Sequence, residues 1–130
     1  MIERYTIERK LGEGASASVF LATDALTGEK VAIKRALEIM SRHARFAGRW
    51  QREVIVLQTL QHPRIVPLLD ATFAKGKPLT MVMKVANGDL EGRLTEGCTG
   101  KQALRWLYQT LEGLVHMHSF GVIHQDIKPD

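Results

Sequence analysis

The chain has 130 residues, 45% of them apolar and 25% charged, with a net charge of +4. This is the composition of one ordinary globular domain, too short for two, and it excludes a disordered or collagen-like chain. No apolar run approaches the ~20 residues of a membrane-spanning helix, and the charged opening MIERYTIERK lacks the apolar core of a secretory signal.

From the N-terminus, the patterns at 5–11, 19–24 and 29–35 predict three strands, being alternating or rich in β-branched residues. Leu26-Thr27-Gly28-Glu29 supplies a hairpin connection between the second and third. Over 45–60, Phe46, Trp50, Val54, Leu57 and Leu60 recur every three or four residues, the period of a helix with one apolar face. His62-Pro63 ends it, because the residue before a proline is pushed out of helical geometry. Residues 65–69 and 79–84 read as two further strands joined through Lys75-Gly76-Lys77-Pro78, and Asn87-Gly88 breaks the pattern. Over 103–118, Leu104, Leu107, Tyr108, Leu111, Leu114, Val115 and His118 share one helical face, which Gly121 closes. Val122-Ile123 reads as a short strand leading into His124-Gln125-Asp126-Ile127-Lys128-Pro129-Asp130. The expected architecture is a five-strand sheet with one helix, then the beginning of a helical part.

The whole excess of positive charge lies in 41–64, where Arg42, Arg45, Arg49, Arg52 and Arg64 face only Glu53. Four of them fall at spacings of 3, 4 and 3 and make one stripe on a helix. Such a stripe is a face for phosphate or nucleic acid, or a solvated helix surface. It lacks the aromatic interleaving of a nucleic-acid site. His116 and His118 are two apart, point to opposite sides of a helix and do not share a metal ion. The single cysteine, Cys98, makes no internal disulfide and fits a reducing, intracellular compartment, cytoplasmic or nuclear.

Four patterns carry chemistry. Leu11-Gly12-Glu13-Gly14-Ala15-Ser16-Ala17-Ser18-Val19 is a glycine-rich turn between two predicted strands. Such a turn either lets backbone N–H groups approach phosphate oxygens or is a tight hairpin and nothing more. No helix follows directly, which argues against a Rossmann or Walker-type phosphate site. Val31-Ala32-Ile33-Lys34 ends a buried strand in a lysine. That lysine either snorkels to solvent or, 20 residues after Gly14, reaches under the glycine turn toward a nucleotide's phosphates. Glu53 in the predicted helix can pair with Lys34, and Arg49, four residues before it, can compete for the same carboxylate. The segment from His124 to Pro129 places Asp126 in a loop after a strand.

In this order and spacing, Gly12-x-Gly14-x-x-Ala17-x-Val19, Val31-Ala32-Ile33-Lys34, Glu53, His62-Pro63, Met81-Val82-Met83 and His124-Gln125-Asp126-Ile127-Lys128-Pro129 resemble a eukaryotic-type protein kinase of the serine/threonine class. The resemblance covers essentially the whole chain. It implies an α+β, two-lobed fold: a five-stranded antiparallel sheet with one regulatory helix in 1–86, and the start of a helical lobe, ending in the catalytic loop, in 87–130. It implies ATP and Mg²⁺ as cofactors and a protein substrate. Gly12, Gly14 and Ala17 would cover the ATP phosphates, with Leu11, Val19 and Ala32 lining the adenine pocket. Lys34 would hold the α- and β-phosphates, with Glu53 as its helix partner. Met83 would be the gatekeeper, Lys84, Val85 and Ala86 the hinge, and Asp89 a ribose contact. Asp126 would be the catalytic base. Lys128 would neutralise the transferring phosphate, which favours serine or threonine over tyrosine as acceptor. In related kinases the helix carrying Glu53 meets a phosphorylated segment or a regulator, so an acidic or phosphorylated partner is implied at the Arg42, Arg45, Arg49 and Arg52 stripe.

Three departures stand out. Ala17 replaces the third glycine, tolerable where the residue keeps a negative φ, and Ser16 replaces an aromatic often found at the tip. Gln125 replaces the arginine that holds a phosphorylated activation loop, which predicts activity not switched on in that manner. The family's metal-binding asparagine would fall one position past Asp130, with its Asp-Phe-Gly segment further on. The 130 residues by themselves are therefore expected to transfer phosphate ~10³-fold more slowly or worse, at ~1.36 kcal/mol per decade. The alternative is a pseudokinase-like or regulatory fragment that binds ATP or a protein partner without catalysis. The apolar face of 103–118 is expected to stay poorly packed unless a partner or further sequence covers it.

Overall fold

The computed structural model describes residues 4–73 and 78–130, so the expected turn at Lys75-Gly76-Lys77 lies outside the described residues. Strands β1 (Tyr5–Glu13), β2 (Ala17–Asp24), β3 (Lys30–Ala36), β4 (Leu68–Thr72) and β5 (Thr80–Lys84) form one antiparallel sheet in the order β1-β2-β3-β5-β4. The helices are α1 (Glu38–Ser41), α2 (Ala44–Thr59), α3 (Leu90–Glu96) and α4 (Gly100–Ser119). Two compact units result: Met1–Thr59 with Pro67–Val85, and Leu60–Val66 with Ala86–Asp130.

In the first unit, two sequence periods meet at β3. Val31 and Ile33 point to one face and pack with Tyr5, Ala22 and Val82. The opposite face sets Ala17, Ala36 and Met81 against Trp50 and Val54 of α2, which are 3% and 0% exposed. Gly28, at φ +74, turns the chain between β2 and β3, where the Asp24 N–H donates to the Glu29 carbonyl at 2.9 Å. A left-handed backbone at that point is what the glycine permits. Buried Asp24 accepts from Arg4 Nε at 2.9 Å and Nη2 at 2.7 Å, and from the Leu26 N–H at 3.0 Å. The Arg4 guanidinium holds the Asp24 carboxyl well below the usual carboxylate range.

The structure departs from expectation at four places. The fourth strand begins at Leu68 and not at 65, because Pro67 has no N–H to give a ladder. Helices α1 and α3 arise where none was expected. Val122 and Ile123 are in no strand.

In the second unit, Thr99 caps α4 by accepting the Gln102 N–H at 3.1 Å. The helix closes on Gly121 at φ +72, with the Gly121 N–H on His118 O at 2.9 Å and the Val122 N–H on Met117 O at 3.2 Å. These are the paired bonds of a Schellman ending. The segment 60–66 runs against α4 at Gly113, where an added Cβ would meet the Arg64 carbonyl oxygen at 3.1 Å. Beside this approach the His62 and His116 rings lie 4.8 Å apart, and Arg64 Nε stands 3.7 Å from a Glu112 carboxylate oxygen. The apolar stripe of α4 is open: Leu104 is 66% exposed, Leu107 55%, Leu111 49% and Val115 70%.

Two outcomes test these contacts. Gly113→Val should destabilise the chain by about 1–3 kcal/mol in a urea titration, since the added methyls meet backbone and not a movable side chain. An unchanged midpoint would show that 60–66 does not lie against α4. For Asp24, the depressed folded value means that its contribution is present above the unfolded value of 3.8 and is lost as pH falls through the folded one. Asp24→Asn should therefore lower Tm at neutral pH, with the gap to wild type narrowing below about pH 4. A gap that stays constant into acid would contradict the pairing with Arg4.

Candidate functional site

The glycine-rich turn is the β1–β2 hairpin. The Gly14 N–H donates to the Ala17 carbonyl at 2.8 Å and closes it. A bulge between Lys10 and Gly12 leaves Leu11 unpaired, while Gly12 pairs with Val19. A Cβ built on Gly12 meets nothing within 4 Å, and one on Gly14 meets only Ala17 O at 3.7 Å. The backbone here is open to a close-approaching ligand. Ala17 keeps a negative φ, as its tolerance at this position requires, and its methyl group is buried in the core with Trp50 and Val54.

Register assembles the rest of this half. Val19 lies opposite Lys34, Leu21 opposite Ala32, and Ala32 opposite Met83. Directly opposed residues of an antiparallel ladder share a face. Val19, Ala32, Lys34 and Met83 therefore line the side of the sheet that carries α2. Lys34 Nζ donates to Glu53 Oε1 at 2.9 Å and sits 5.4 Å from the centroid of the Trp50 ring. Glu53 takes Lys34 and not Arg49, whose side chain stays exposed; the competing helix pair is not formed. At the end of β5 the Lys84 N–H donates to Pro67 O at 3.3 Å, and half-buried Val85 follows. Trp50 was foreseen only as a core residue, because periodicity reports burial and says nothing about what stands over the ring.

The second unit holds the remaining positions. Ala86 is exposed and begins its longer segment, Ala86–Asp130. Asp89 is the N-cap of α3, its Oδ1 accepting the Gly92 N–H at 2.7 Å. That structural role was legible as an Asp after the Asn87-Gly88 break, yet Gly92 inside the segment masks the helix. In the loop after α4, His124 Nδ1 accepts the Asp126 N–H at 3.1 Å. Between them Gln125 lies at φ +68, the left-handed region, which costs an ordinary residue about 1–2 kcal/mol. The Glu91 N–H donates to Pro129 O at 2.9 Å and ties this loop to the first turn of α3. The Asp126 and Lys128 side chains are exposed, Lys128 Nζ standing 3.5 Å from an Asp130 carboxylate oxygen.

The family pattern described as protein kinase domain matches residues 5–130. The chain belongs to the protein kinase family. "Mitogen-activated protein kinase HOG1" of Arthrobotrys oligospora is 37% identical over 127 residues, which are 97% of this chain and 36% of that protein. "Mitogen-activated protein kinase sakA" of Aspergillus fumigatus is 36% identical over 97% of this chain and 34% of its own length. "Mitogen-activated protein kinase Hog1" of Zymoseptoria tritici is 35% identical over 97% and 35%. The chain thus spans about a third of the length of the curated relatives it matches. Within the kinase fold, the five-stranded sheet with α2 is the N-lobe, and α3 and α4 begin the C-lobe. Among the described residues no helix is long and apolar enough to cross a membrane.

The cap and the charge that Asp89 supplies are separable by substitution. Asp89→Ala should cost about 1 kcal/mol by chemical denaturation and release the α3 amides to exchange, whereas Asp89→Asn keeps the cap. Equal loss in both variants would mean that charge, not capping, is what Asp89 supplies.

Proposed function

We propose that this kinase chain binds ATP through its N-lobe and, within a kinase domain, transfers the γ-phosphate to serine or threonine of a protein. The observation that carries the reading is the 2.9 Å Lys34–Glu53 pair on the sheet face that continues from the open Gly12–Gly14 turn. A lysine paired with a carboxylate on this face offers phosphate oxygens a cation for charge-assisted contact. The Gly14 N–H is engaged by Ala17, which leaves the N–H groups of Ala15 and Ser16 to meet phosphate. Val19 and Ala32 present a small apolar surface for the adenine, and Met83 borders it.

In the C-lobe, Asp126 accepts the proton of the substrate hydroxyl and Lys128 neutralises the phosphate in transit. The His124 Nδ1 bond to the Asp126 N–H holds the loop that carries the base. Mg²⁺ supplies charge neutralisation when bound. Lys34 is the cation that the N-lobe itself offers the phosphates.

The α2 stripe fits an acidic or phosphorylated protein partner. Arg45, Arg49 and Arg52 are exposed and make no ion pair among the described residues; Arg42 does not extend the stripe, because it lies before α2 at the C-cap of α1, where Glu38 holds it at 2.5 Å. Three uncommitted guanidinium groups on one face are suited to bidentate phosphate or carboxylate recognition.

Nucleotide titration tests the reading. Lys34→Met and Glu53→Gln should each weaken ATP binding about 10-fold, the 1.4 kcal/mol expected of one charge-assisted contact. Asp126→Asn should leave ATP affinity unchanged and abolish the phosphotransfer of a kinase domain that contains it. Unaltered ATP binding by Lys34→Met would overturn the assignment.

A further inference from the structure

We infer that Trp50 is a positioning residue for Lys34, holding its ammonium group between the indole face and the Glu53 carboxylate. The inference rests on the reading of Lys34 as the phosphate contact and adds what sets that lysine before any ligand or regulator arrives. Trp50 precedes Glu53 by three residues on α2, so the two side chains emerge on the same side of the helix. Lys34 Nζ is 2.9 Å from Glu53 Oε1 and 5.4 Å from the Trp50 centroid, within the distance over which a ring face attracts a cation.

The two partners differ in what fixes them. The Lys34 and Glu53 side chains are 30% and 46% exposed, and a lysine–carboxylate pair that open to water is loosely held. The Trp50 ring is immobile by comparison. It is 3% exposed, packed in the core with Ala17, Ala36, Val54, Leu79 and Met81, and braced by the Phe46 ring at 5.8 Å. The rigid partner therefore defines where the flexible lysine rests.

A second observation favours a role for the ring over a role for bulk. Trp50 Nε1 is buried and has no hydrogen-bond partner among the described residues. A buried N–H left unpaired is unfavourable, and a purely apolar side chain would pack in this core without it. The indole's larger π-face, the strongest cation acceptor among the aromatic residues, is the property such a replacement lacks.

The experiment reads the apo chain and the nucleotide-bound chain separately. In the apo chain, ring-current shifts should move the Lys34 ε-methylene protons upfield in wild type, less so in Trp50→Phe, and return them to the free-lysine position in Trp50→Leu. Glu53→Gln should leave most of that shift in place. An ATP titration then forms a double-mutant cycle: Trp50→Leu should weaken binding about fivefold when Lys34 is present and not at all in the Lys34→Met background, with Trp50→Phe close to wild type. A Lys34 ε-methylene at the free-lysine position in wild type would overturn the inference. So would equal losses in the two lysine backgrounds, the signature of a residue that only fills space. Should Trp50→Leu fail to fold, the wild-type shift and its reduction in Trp50→Phe decide the matter. If Lys34→Met left ATP affinity unchanged while the apo shift persisted, the phosphate reading would fall and the clamp would stand.

Discussion

A single polar contact, Lys34 Nζ to Glu53 Oε1 at 2.9 Å, joins the middle of the sheet to α2, and it is an effect of packing before it is a cause of function. With both side chains partly exposed, such a pair contributes about 0–1 kcal/mol. That is too little to seat a helix of 16 residues. Burial of Trp50 and Val54, at about 1.5–3 kcal/mol each, does so, and it fixes the turn of α2 from which Glu53 projects. Register completes the geometry: because Val19 opposes Lys34 and Ala32 opposes Met83, the polar lysine and its apolar neighbours share the face that α2 covers only in part. The chemistry of the N-lobe thus depends on an apolar core that touches no substrate.

The C-lobe portion is held by different means. Its helix α4 presents one stripe of leucines to solvent among the described residues, so its order there comes from its ends and from one close approach. Thr99 satisfies an N-terminal donor, and Gly121 lets the last carbonyls find partners. At Gly113 the absence of a side chain lets 60–66 lie directly on the helix, at the cost of helix propensity in mid-span. The loop bearing Asp126 follows from that helix end and is tied back to α3 through Pro129 and Glu91.

Much of this was legible in the sequence, and the misses share a physical pattern. The largely apolar run over 79–84 and the helical period over 45–60 report burial directly, and both elements form close to those bounds as β5 and α2. The kinase motifs carried the family. The elements misplaced are those set by backbone bonding and not by side-chain period. Pro67 shifted β4 because it removes a donor, and Val122-Ile123 formed no strand because two apolar residues make no ladder alone. Helix α3 was hidden by Gly92 and depends on the Asp89 cap. Within the site, the choice of Glu53 between Lys34 and Arg49 was open in the sequence, since both lie within reach; only the position of β3 beside α2 decides it.

Gln125 and Ala17 act in opposite directions on order. Gln125 keeps the left-handed backbone of its loop without glycine's freedom, so the segment carrying Asp126 is held in a conformation that its own residue disfavours. Ala17 does the reverse. Its methyl group enters the core that also buries Trp50 and Val54, so the end of the glycine-rich turn is anchored to the helix that carries Glu53. A glycine at that position would contribute nothing to that core and would leave the turn freer to move. The end of the glycine-rich turn and α2 therefore share one core, and a force that displaced α2 would disturb the turn through Ala17 as well as breaking the Lys34–Glu53 pair.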